Sequence, residues 1–239
     1  GETMHELSGA LLHPSLVHAM DVAETERFNR SWRPYAHQVE AWQLLREEPA
    51  RSVVVSSGTG SGKTECFLVP ILDSLARQRA AGGDLVGIQA LFLYPLNALI
   101  NSQRDRLRSW TAAFGEDVRF CLYNGNTPHT DPPRHEAQRA PQEVMGRPQL
   151  RKQPPPILIT NSTMLEYMLV RHEDAPIIHR SRGKLRWIVL DEAHTYIGSQ
   201  AAEVALLLRR VLHAFDVRPE PGRDVRRTAR AAVPLRVAQ

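Results

Sequence analysis

The sequence predicts an α/β fold in which a mainly parallel sheet is covered by helices on both faces. Short apolar runs alternate with stretches of helical periodicity along most of the chain. The predicted strands are 52–56, 88–94, 118–123, Ile157–Thr160 and Trp187–Leu190, and the predicted helices are 65–79, 96–114, Ser162–Val170 and 199–215. Repeated strand–helix order in one direction produces parallel strands, because each helix returns the chain to the same end of the sheet. With 239 residues and 42% apolar content, the chain can bury a core of that kind.

The first predicted strand runs into a glycine-rich turn with the sequence Ser57-Gly58-Thr59-Gly60-Ser61-Gly62-Lys63-Thr64. Three glycines allow the backbone to aim consecutive N–H groups at a polyphosphate, and the positive end of the following helix adds to the attraction. In such a turn Lys63 reaches the β- and γ-phosphates, and the Thr64 hydroxyl binds Mg²⁺. The alternative is a fortuitous turn between a strand and a helix. The residue types, their order and the flanking elements together favour the phosphate site.

The last predicted strand ends in the acidic sequence Asp191-Glu192-Ala193-His194. Ligands of open α/β sheets bind at the carboxyl ends of the strands, where these residues are expected to lie. We predict that Asp191 holds Mg²⁺, directly or through water, and that Glu192 orients and deprotonates the water that attacks the γ-phosphate. His194 is expected to link the nucleotide state to a partner domain by hydrogen bonding. A metal-ligand role for His194 is the alternative, and no second His or Cys lies at ligand spacing.

An aromatic segment, Trp32-Arg33-Pro34-Tyr35-Ala36-His37-Gln38, precedes the glycine-rich turn and leads into a helical pattern at residues 39–45. Gln38 is suited to reading adenine, because its amide offers a donor and an acceptor that match the Hoogsteen edge of that base. The alternative is a surface glutamine on an amphipathic helix.

These motifs together resemble the first RecA-like domain of a DEAD/DEAH box superfamily-2 helicase, over residues 31–215. The strict phosphate-loop pattern has glycine at position 57, whereas the first motif of superfamily-2 helicases resembles this sequence in having Ala or Ser there. The acidic sequence begins 128 residues after Lys63. The acidic sequence with its continuation Thr195-Tyr196, followed by Gly198 and a helix at 203–210, is similar to that of the large bacterial DEAD/DEAH box helicases related to Lhr and RecQ. The resemblance implies a RecA-like P-loop fold, ATP and Mg²⁺ as cofactors, ATP hydrolysis, and DNA in preference to RNA as the nucleic-acid partner.

Three further turns occupy positions at which such helicases contact nucleic acid. They are Pro95-Leu96-Asn97, Gly125-Asn126-Thr127 and Thr160-Asn161-Ser162. Backbone N–H groups and small polar side chains at strand ends suit contacts to sugar and phosphate rather than to bases. An ordinary turn or helix cap is the alternative for each. The arginines that follow the first turn, Arg104, Arg106 and Arg108, are either further backbone contacts or an exposed arginine face.

The rest of the sequence sets the predicted domain limits. Residues 1–30 form an N-terminal extension with a possible helix at residues 15–28. Residues 127–156 contain eight of the 17 prolines and are predicted to be a surface insertion. Residues 216–239 are predicted to be a basic, disordered or truncated tail without a clear strand. Eight arginines against three acidic residues at positions 209–239 account for the formal net charge of +4.

The resemblance implies a second RecA-like domain that supplies arginines to the transition state, and we expect that residues 216–239 do not form it. An arginine finger is worth ~10³ to 10⁵ in the rate of phosphoryl transfer, so we expect the lone chain to hydrolyse ATP slowly unless a second protein supplies the missing domain. A non-catalytic, nucleotide-dependent nucleic-acid-binding module is the alternative function. A kinase of a small metabolite is disfavoured by Ser57 and Gln38.

The cysteines and the hydropathy indicate the compartment. Cys66 and Cys121 are the two cysteines, and they form no metal-spaced motif, which predicts reduced thiols in the core. No apolar run is long enough to cross a bilayer, and charged residues and prolines interrupt the first twenty residues. We therefore expect a cytoplasmic protein without a membrane partner.

Overall fold

A computed structural model describes residues 1–47, 51–56, 60–95, 97–217 and 233–236, with residues 97–102 and 233–236 described by their backbone alone. The helices are α1 (Met4–Leu7), α2 (Pro14–Asp21), α3 (Ala36–Arg46), α4 (Lys63–Ala80), α5 (Asn97–Thr111), α6 (Arg134–Arg139), α7 (Arg147–Lys152), α8 (Ser162–Val170), α9 (Ala175–Ser181) and α10 (Ser199–Ala214). The strands are β1 (Val53–Ser56), β2 (Ala90–Leu93), β3 (Phe120–Tyr123), β4 (Glu143–Val144), β5 (Ile157–Thr160), β6 (Trp187–Leu190) and β7 (Val233–Arg236).

The chain divides into two compact units. The first unit comprises Gly1–Val22, Arg27–Ala81 and Pro219–Gln239, and the second comprises Ala23–Glu26 and Gly82–Arg218. Among the helices that the structure describes, none combines the length and the apolar content needed to span a bilayer.

In the first unit β1 pairs in parallel with β7, with Val53 opposite Val233 and Ser56 opposite Arg236. The prediction of a tail without a clear strand is therefore wrong at Val233–Arg236. Pro234 concealed this strand in the sequence, because proline cannot donate to a β-ladder and is normally found at strand edges.

The N-terminal segment packs into the first unit. Its buried apolar side chains are Met4, Leu7, Leu12, Leu16, Val17 and Met20. The backbone N–H of His13 donates to the Asp73 carboxylate on α4, which also accepts from Arg77 Nε at 2.7 Å. The predicted helix at residues 15–28 ends at Asp21, and Glu26, with φ at 49°, has left the right-handed helical region.

Helix α3 packs against α4 beneath β1. The Trp42 indole N–H donates to the carbonyl of Glu65 at 2.9 Å, and Ala41 and Cys66 form the centre of a small apolar cluster with Val53 and Val55. Burial, with the nearby Glu65 charge as the smaller cause, raises the pKa of Cys66 to about 12. Cys66 and Cys121 are both buried and neither forms a disulfide, in agreement with the predicted core thiols.

The second unit contains a five-stranded parallel sheet in the order β4-β3-β5-β2-β6. The register sets Leu93 opposite both Thr160 and Leu190, and Tyr123 opposite Thr160, so these strands end together at one edge. All side chains of β2 and β5 are buried, as strands covered on both faces require. One apolar cluster joins Leu91, Leu93 and Leu158 to the following helix residues: Met164, Leu165, Met168, Ile177, Leu207 and Val211. The predicted parallel α/β architecture is confirmed.

Residues 127–156 differ from the predicted surface insertion. They contribute β4, which pairs in parallel with β3, and they bury Val144 and Leu150 in the apolar cluster. The prolines begin elements rather than break them, since Pro133 precedes α6 and Pro148 lies in the first turn of α7. This segment is therefore an edge of the sheet.

The three arginines of α5 pair with acidic side chains of the second unit. Glu143, whose side chain is 3% exposed, accepts from Arg104 Nε at 2.7 Å and from Arg108 Nε. Arg106 pairs with Glu26, and its guanidinium lies over the Trp110 ring. The arginines predicted as an exposed face are therefore ion-paired, although the side chains of Arg104 and Arg108 remain 36% and 35% exposed, and these two link α5 to β4.

Glu143→Ala is expected to destabilise the protein by about 1–3 kcal/mol, because it removes the shared acceptor of Arg104 and Arg108 from a buried position. Glu143→Gln, which keeps one carbonyl acceptor, should lose less. Urea denaturation measures both changes, and an unfolding free energy of Glu143→Ala equal to that of wild type would contradict this account of β4.

Candidate functional site

The glycine-rich turn is described from Gly60 onward, and Ser57, Gly58 and Thr59 lie outside the described residues. Gly60 and Gly62 have φ of 76° and 72°, in the left-handed region that favours glycine. Gly62 is the N-cap residue of α4 and provides no side-chain cap, while Lys63 and Thr64 open the helix. An uncapped helix N-terminus directly after left-handed glycines fits a bound polyphosphate, with the Thr64 hydroxyl available to Mg²⁺.

Two side chains at the start of α3 hold this turn. Gln38 Nε2 donates to the carbonyl of Gly62 at 3.1 Å, and His37 Nε2 donates to the carbonyl of Ser61 at 2.9 Å. Gln38 Oε1 accepts from the backbone N–H of Tyr35 at 2.9 Å. Gln38 is only 1% exposed, which excludes the alternative of a surface glutamine. Its amide thus supports the turn and retains one N–H and one lone pair for other partners.

The aromatic segment before Gln38 lies beside the turn, and its ring stacking was not predicted from the sequence. The Tyr35 ring stacks on His37 with centroids 5.5 Å apart, and Trp32 meets Tyr35 edge-on at 6.4 Å. Tyr35 is 55% exposed, so one aromatic surface remains open to a planar ligand. The density of aromatic residues before Gln38 was the available signal in the sequence.

In the second unit the end of β6 presents Asp191 and Glu192. The backbone N–H of Asp191 donates to the carbonyl of Leu93 at 3.2 Å, and that of Glu192 donates to Asp191 Oδ1 at 2.9 Å. Glu192 has φ at 50°, a left-handed conformation that costs a residue other than glycine about 1–3 kcal/mol. His194 Nδ1 lies 3.3 Å from Glu192 Oε2, and its side chain is 75% exposed.

The acidic pair is not part of a protein metal cage. Within the residues that the structure describes, no three His, Cys, Asp or Glu side chains cluster as metal ligands. A magnesium ion requires no such cluster, because it is usually held by one or two carboxylates together with substrate phosphates and water. Asp191 therefore fits a Mg²⁺ ion that arrives with a nucleotide.

Tyr94 is a site residue that sequence reasoning missed. It follows β2 as Asp191 follows β6, and the register of these strands makes the two residues neighbours. Burial is the main cause that raises the pKa of Tyr94, and the charge of Asp191 and a hydrogen bond to that carboxylate add to it. The Tyr94 hydroxyl and the Glu192 N–H together orient Asp191.

The structure describes most of the three turns predicted to contact nucleic acid. Pro95 follows β2, residues 125–127 follow β3, and Thr160 ends β5, so all three turns lie at the carboxyl edge of the sheet in the second unit. Leu96 and the side chain of Asn97 lie outside the described residues.

Three polar side chains in these turns are engaged within the protein. Thr127 Oγ1 accepts from the N–H of Asn124 at 2.9 Å, and Thr160 Oγ1 donates to the carbonyl of Tyr123 at 2.7 Å. Asn161 caps α8 by accepting from the N–H of Met164 at 2.8 Å. These internal hydrogen bonds fit the alternative of an ordinary turn or cap, and contacts of Thr127, Thr160 and Asn161 to nucleic acid stay a prediction. Gly125 and Asn126 are exposed and Ser162 is half-buried, so they remain the accessible candidates.

Comparison with known proteins gives consistent matches. The family model described as DEAD/DEAH box helicase matches residues 35–224. The chain is 30% identical to Druantia protein DruE of Escherichia coli (strain UMEA 4076-1), with 77% of this chain and 15% of that protein covered. It is also 30% identical to the uncharacterized ATP-dependent helicase YprA of Bacillus subtilis (strain 168), with 74% of this chain and 20% of that protein covered. The chain thus spans 15% to 20% of the length of these relatives.

Solved structures agree with these matches. The DUF1998 helicase MrfA bound to DNA and AMPPNP is 25% identical, with a TM-score of 0.60 over 87% of this chain and 25% of that chain. The yeast DEAD-box splicing factor Prp28 is 19% identical, with a TM-score of 0.61 over 87% of this chain and 42% of that chain, and supports the fold alone. The predicted RecA-like fold is confirmed.

The packing around Gly62 predicts different costs for two glycine substitutions. Gly60→Ala, where a Cβ would meet nothing within 4 Å, should cost only the left-handed strain, about 1–2 kcal/mol. In Gly62→Ala the Cβ would also overlap the buried Gln38 amide nitrogen, which should add about 1–3 kcal/mol.

Urea denaturation of both variants measures the difference, with Gly60→Ala as the matched control for strain. Equal unfolding free energies of the two variants would show that Gln38 does not hold the turn.

Proposed function

The chain belongs to the DEAD/DEAH box helicase family, and from that premise we propose that it is the ATP- and nucleic-acid-binding motor domain of an ATP-dependent helicase. The observation that carries the proposal is the glycine turn at the uncapped start of α4, fixed by Gln38 and His37. A turn held open in this way is preorganised for phosphates, so binding costs little rearrangement.

Each residue of the turn has a part in this proposal. Ser57, Gly58, Thr59, Gly60, Ser61 and Gly62 supply backbone to the phosphates, and Lys63 neutralises charge on the β- and γ-phosphates. Gln38, which already supports the turn, uses its remaining amide capacity on adenine. The exposed Tyr35 ring lies where a base can stack on it.

The acidic pair supplies the second half of the chemistry. Asp191, oriented by Tyr94, and Thr64 would hold a Mg²⁺ ion, which would supply charge neutralisation on the phosphates. Glu192 takes the proton of the attacking water. His194 lies next to Glu192 and couples this site to a partner domain. We propose that these residues serve the nucleotide that Lys63 binds, as their order along the chain in this family suggests.

Nucleic acid is the proposed partner at the carboxyl edge of the second unit, through the turns that contain Pro95, Gly125 and Ser162. DNA is favoured over RNA because MrfA, at 25% identity, is described in complex with DNA. Full activity of the 239-residue chain requires the arginines of a second RecA-like domain, which a second protein can supply. We place the protein in the cytoplasm.

Lys63→Ala and Glu192→Gln separate binding from hydrolysis. Lys63→Ala should weaken binding of a fluorescent ATP analogue at least about tenfold, because it removes a charge from the phosphates. Glu192→Gln should bind the analogue as wild type does, while any DNA-stimulated turnover falls by about 10²–10⁴-fold with the loss of the base.

Equilibrium titration of the analogue measures its affinity, and release of inorganic phosphate measures ATP turnover. Unchanged affinity in Lys63→Ala contradicts the proposal, and so does transfer of phosphate to a small acceptor. Wild-type binding without turnover, both alone and after addition of a second RecA-like domain, favours the non-catalytic alternative.

A further inference from the structure

The turn after β3 has a defined shape. Asn124 Oδ1 accepts from the N–H of Asn126 at 2.9 Å, and Thr127 Oγ1 donates to the carbonyl of Leu122 at 2.8 Å. Gly125 and Asn126 stand exposed at the tip of this turn. These local hydrogen bonds fix the shape of the turn, but they do not explain what supports its C-terminal side, at Thr127 and Pro128.

Arg147, at the start of α7, supports the C-terminal side of the turn. Its Nε donates to the carbonyl of Thr127 at 3.0 Å, and its backbone N–H donates to the carbonyl of Pro128 at 3.0 Å. The guanidinium lies over the Tyr123 ring, 5.6 Å from the centroid, and Arg147 is 5% exposed. One side chain thus joins the last residue of β3 to the end of the turn.

The chain around Arg147 is fitted closely to the same segment. A Cβ at Gly146 would lie 2.9 Å from the Cα of Asp131, so only glycine allows this approach. The N–H of Gln149 donates to Asp131 Oδ1 at 3.0 Å. Residues 127–131 therefore rest against the start of α7 by both backbone and side-chain contacts.

A buried guanidinium is costly unless its donors are used, and an apolar side chain would fill the space at lower cost. Arginine can donate to a carbonyl from Nε while its guanidinium plane lies over an aromatic ring, whereas the ammonium of lysine has no plane to stack and methionine has no donor. The geometry therefore favours a role that needs the Arg147 Nε–H donor, namely fixing the position of the Thr127 carbonyl.

We propose that Arg147 is a positioning residue for nucleic-acid binding, which fixes the turn at residues 124–127 so that the exposed Gly125 backbone and the Asn126 side chain meet a sugar-phosphate chain. The inference rests on the proposed function, because it assigns this turn to the nucleic-acid site. It also gives the proline-rich segment at 127–156 a role, as the support of that turn.

Arg151 provides a matched control on the same helix. Its Nε donates to Asp174 Oδ1 at 2.9 Å, and its Nη2 to Glu173 at 3.0 Å, so it binds α7 to residues 172–174 instead of to the turn. Loss of either arginine removes hydrogen bonds from α7. Only the loss of Arg147 releases the turn.

The test measures binding of a fluorescent single-stranded DNA oligonucleotide and of an ATP analogue by the full 239-residue chain. Arg147→Met should weaken DNA binding about tenfold, the equivalent of one well-placed hydrogen bond, and change the ATP-analogue affinity less than about twofold. Arg147→Lys should fall between wild type and Arg147→Met. Arg151→Met should lower the unfolding temperature while its DNA affinity stays within about twofold of wild type.

A folded Arg147→Met variant with wild-type DNA affinity overturns the inference, as does an equal loss of DNA affinity in Arg151→Met. If Arg147→Met does not fold, Arg147→Lys decides, and wild-type DNA affinity in that variant overturns the inference. Failure of the wild-type chain to bind DNA or an RNA oligonucleotide of the same sequence would instead refute the proposed function.

Discussion

The contact between Gly62 and Gln38 is the constraint on which the nucleotide site depends. The left-handed backbone at Gly62 reverses the chain so that α4 begins without a side-chain cap, and the Gln38 amide occupies the space that a Cβ would need. A helix N-terminus whose N-cap residue has no side chain leaves room for an anion, which its positive dipole end attracts. Helix α3 holds the turn in this state from behind, through hydrogen bonds to two consecutive carbonyls. The phosphate turn thus depends on one left-handed glycine, whose conformation the rest of the first unit maintains.

The second unit uses parallel register to gather functional groups. Because β3, β5, β2 and β6 end together, the residues that follow them share one edge although they lie far apart in the chain. At that edge, buried polar contacts do the positioning: the Tyr94 hydroxyl on Asp191, the Thr160 hydroxyl on the carbonyl of Tyr123, and the Arg147 guanidinium on the carbonyl of Thr127. The groups proposed to meet ligands are more accessible, since Asn126 is exposed and Glu192 is half-buried. Glu192 is held in a strained left-handed backbone conformation, as residues at functional sites often are.

The sequence was informative where the signal is local. Strand–turn–helix order, three glycines before Lys63 and two carboxylates after an apolar run predicted the fold class and the candidate residues, because each of these patterns follows from nearby residues. Prediction from the sequence failed where the structure depends on contacts between distant residues. Proline-rich residues 127–156 look like a loop, yet β4 and α7 are held by Arg104, Arg108 and the Asp131 segment. Pro234 hid β7, and the partner of Tyr94 could be known only from the pairing of β2 with β6.

The most direct test is the Mg²⁺ dependence of ATP-analogue affinity in wild type, Lys63→Ala, Asp191→Asn and the double variant. If the phosphate turn and the acidic pair serve one nucleotide, Asp191→Asn raises the Mg²⁺ concentration needed for tight binding, and the two substitutions are non-additive. Additive effects, or a Mg²⁺ requirement that Asp191→Asn leaves unchanged, would contradict the account.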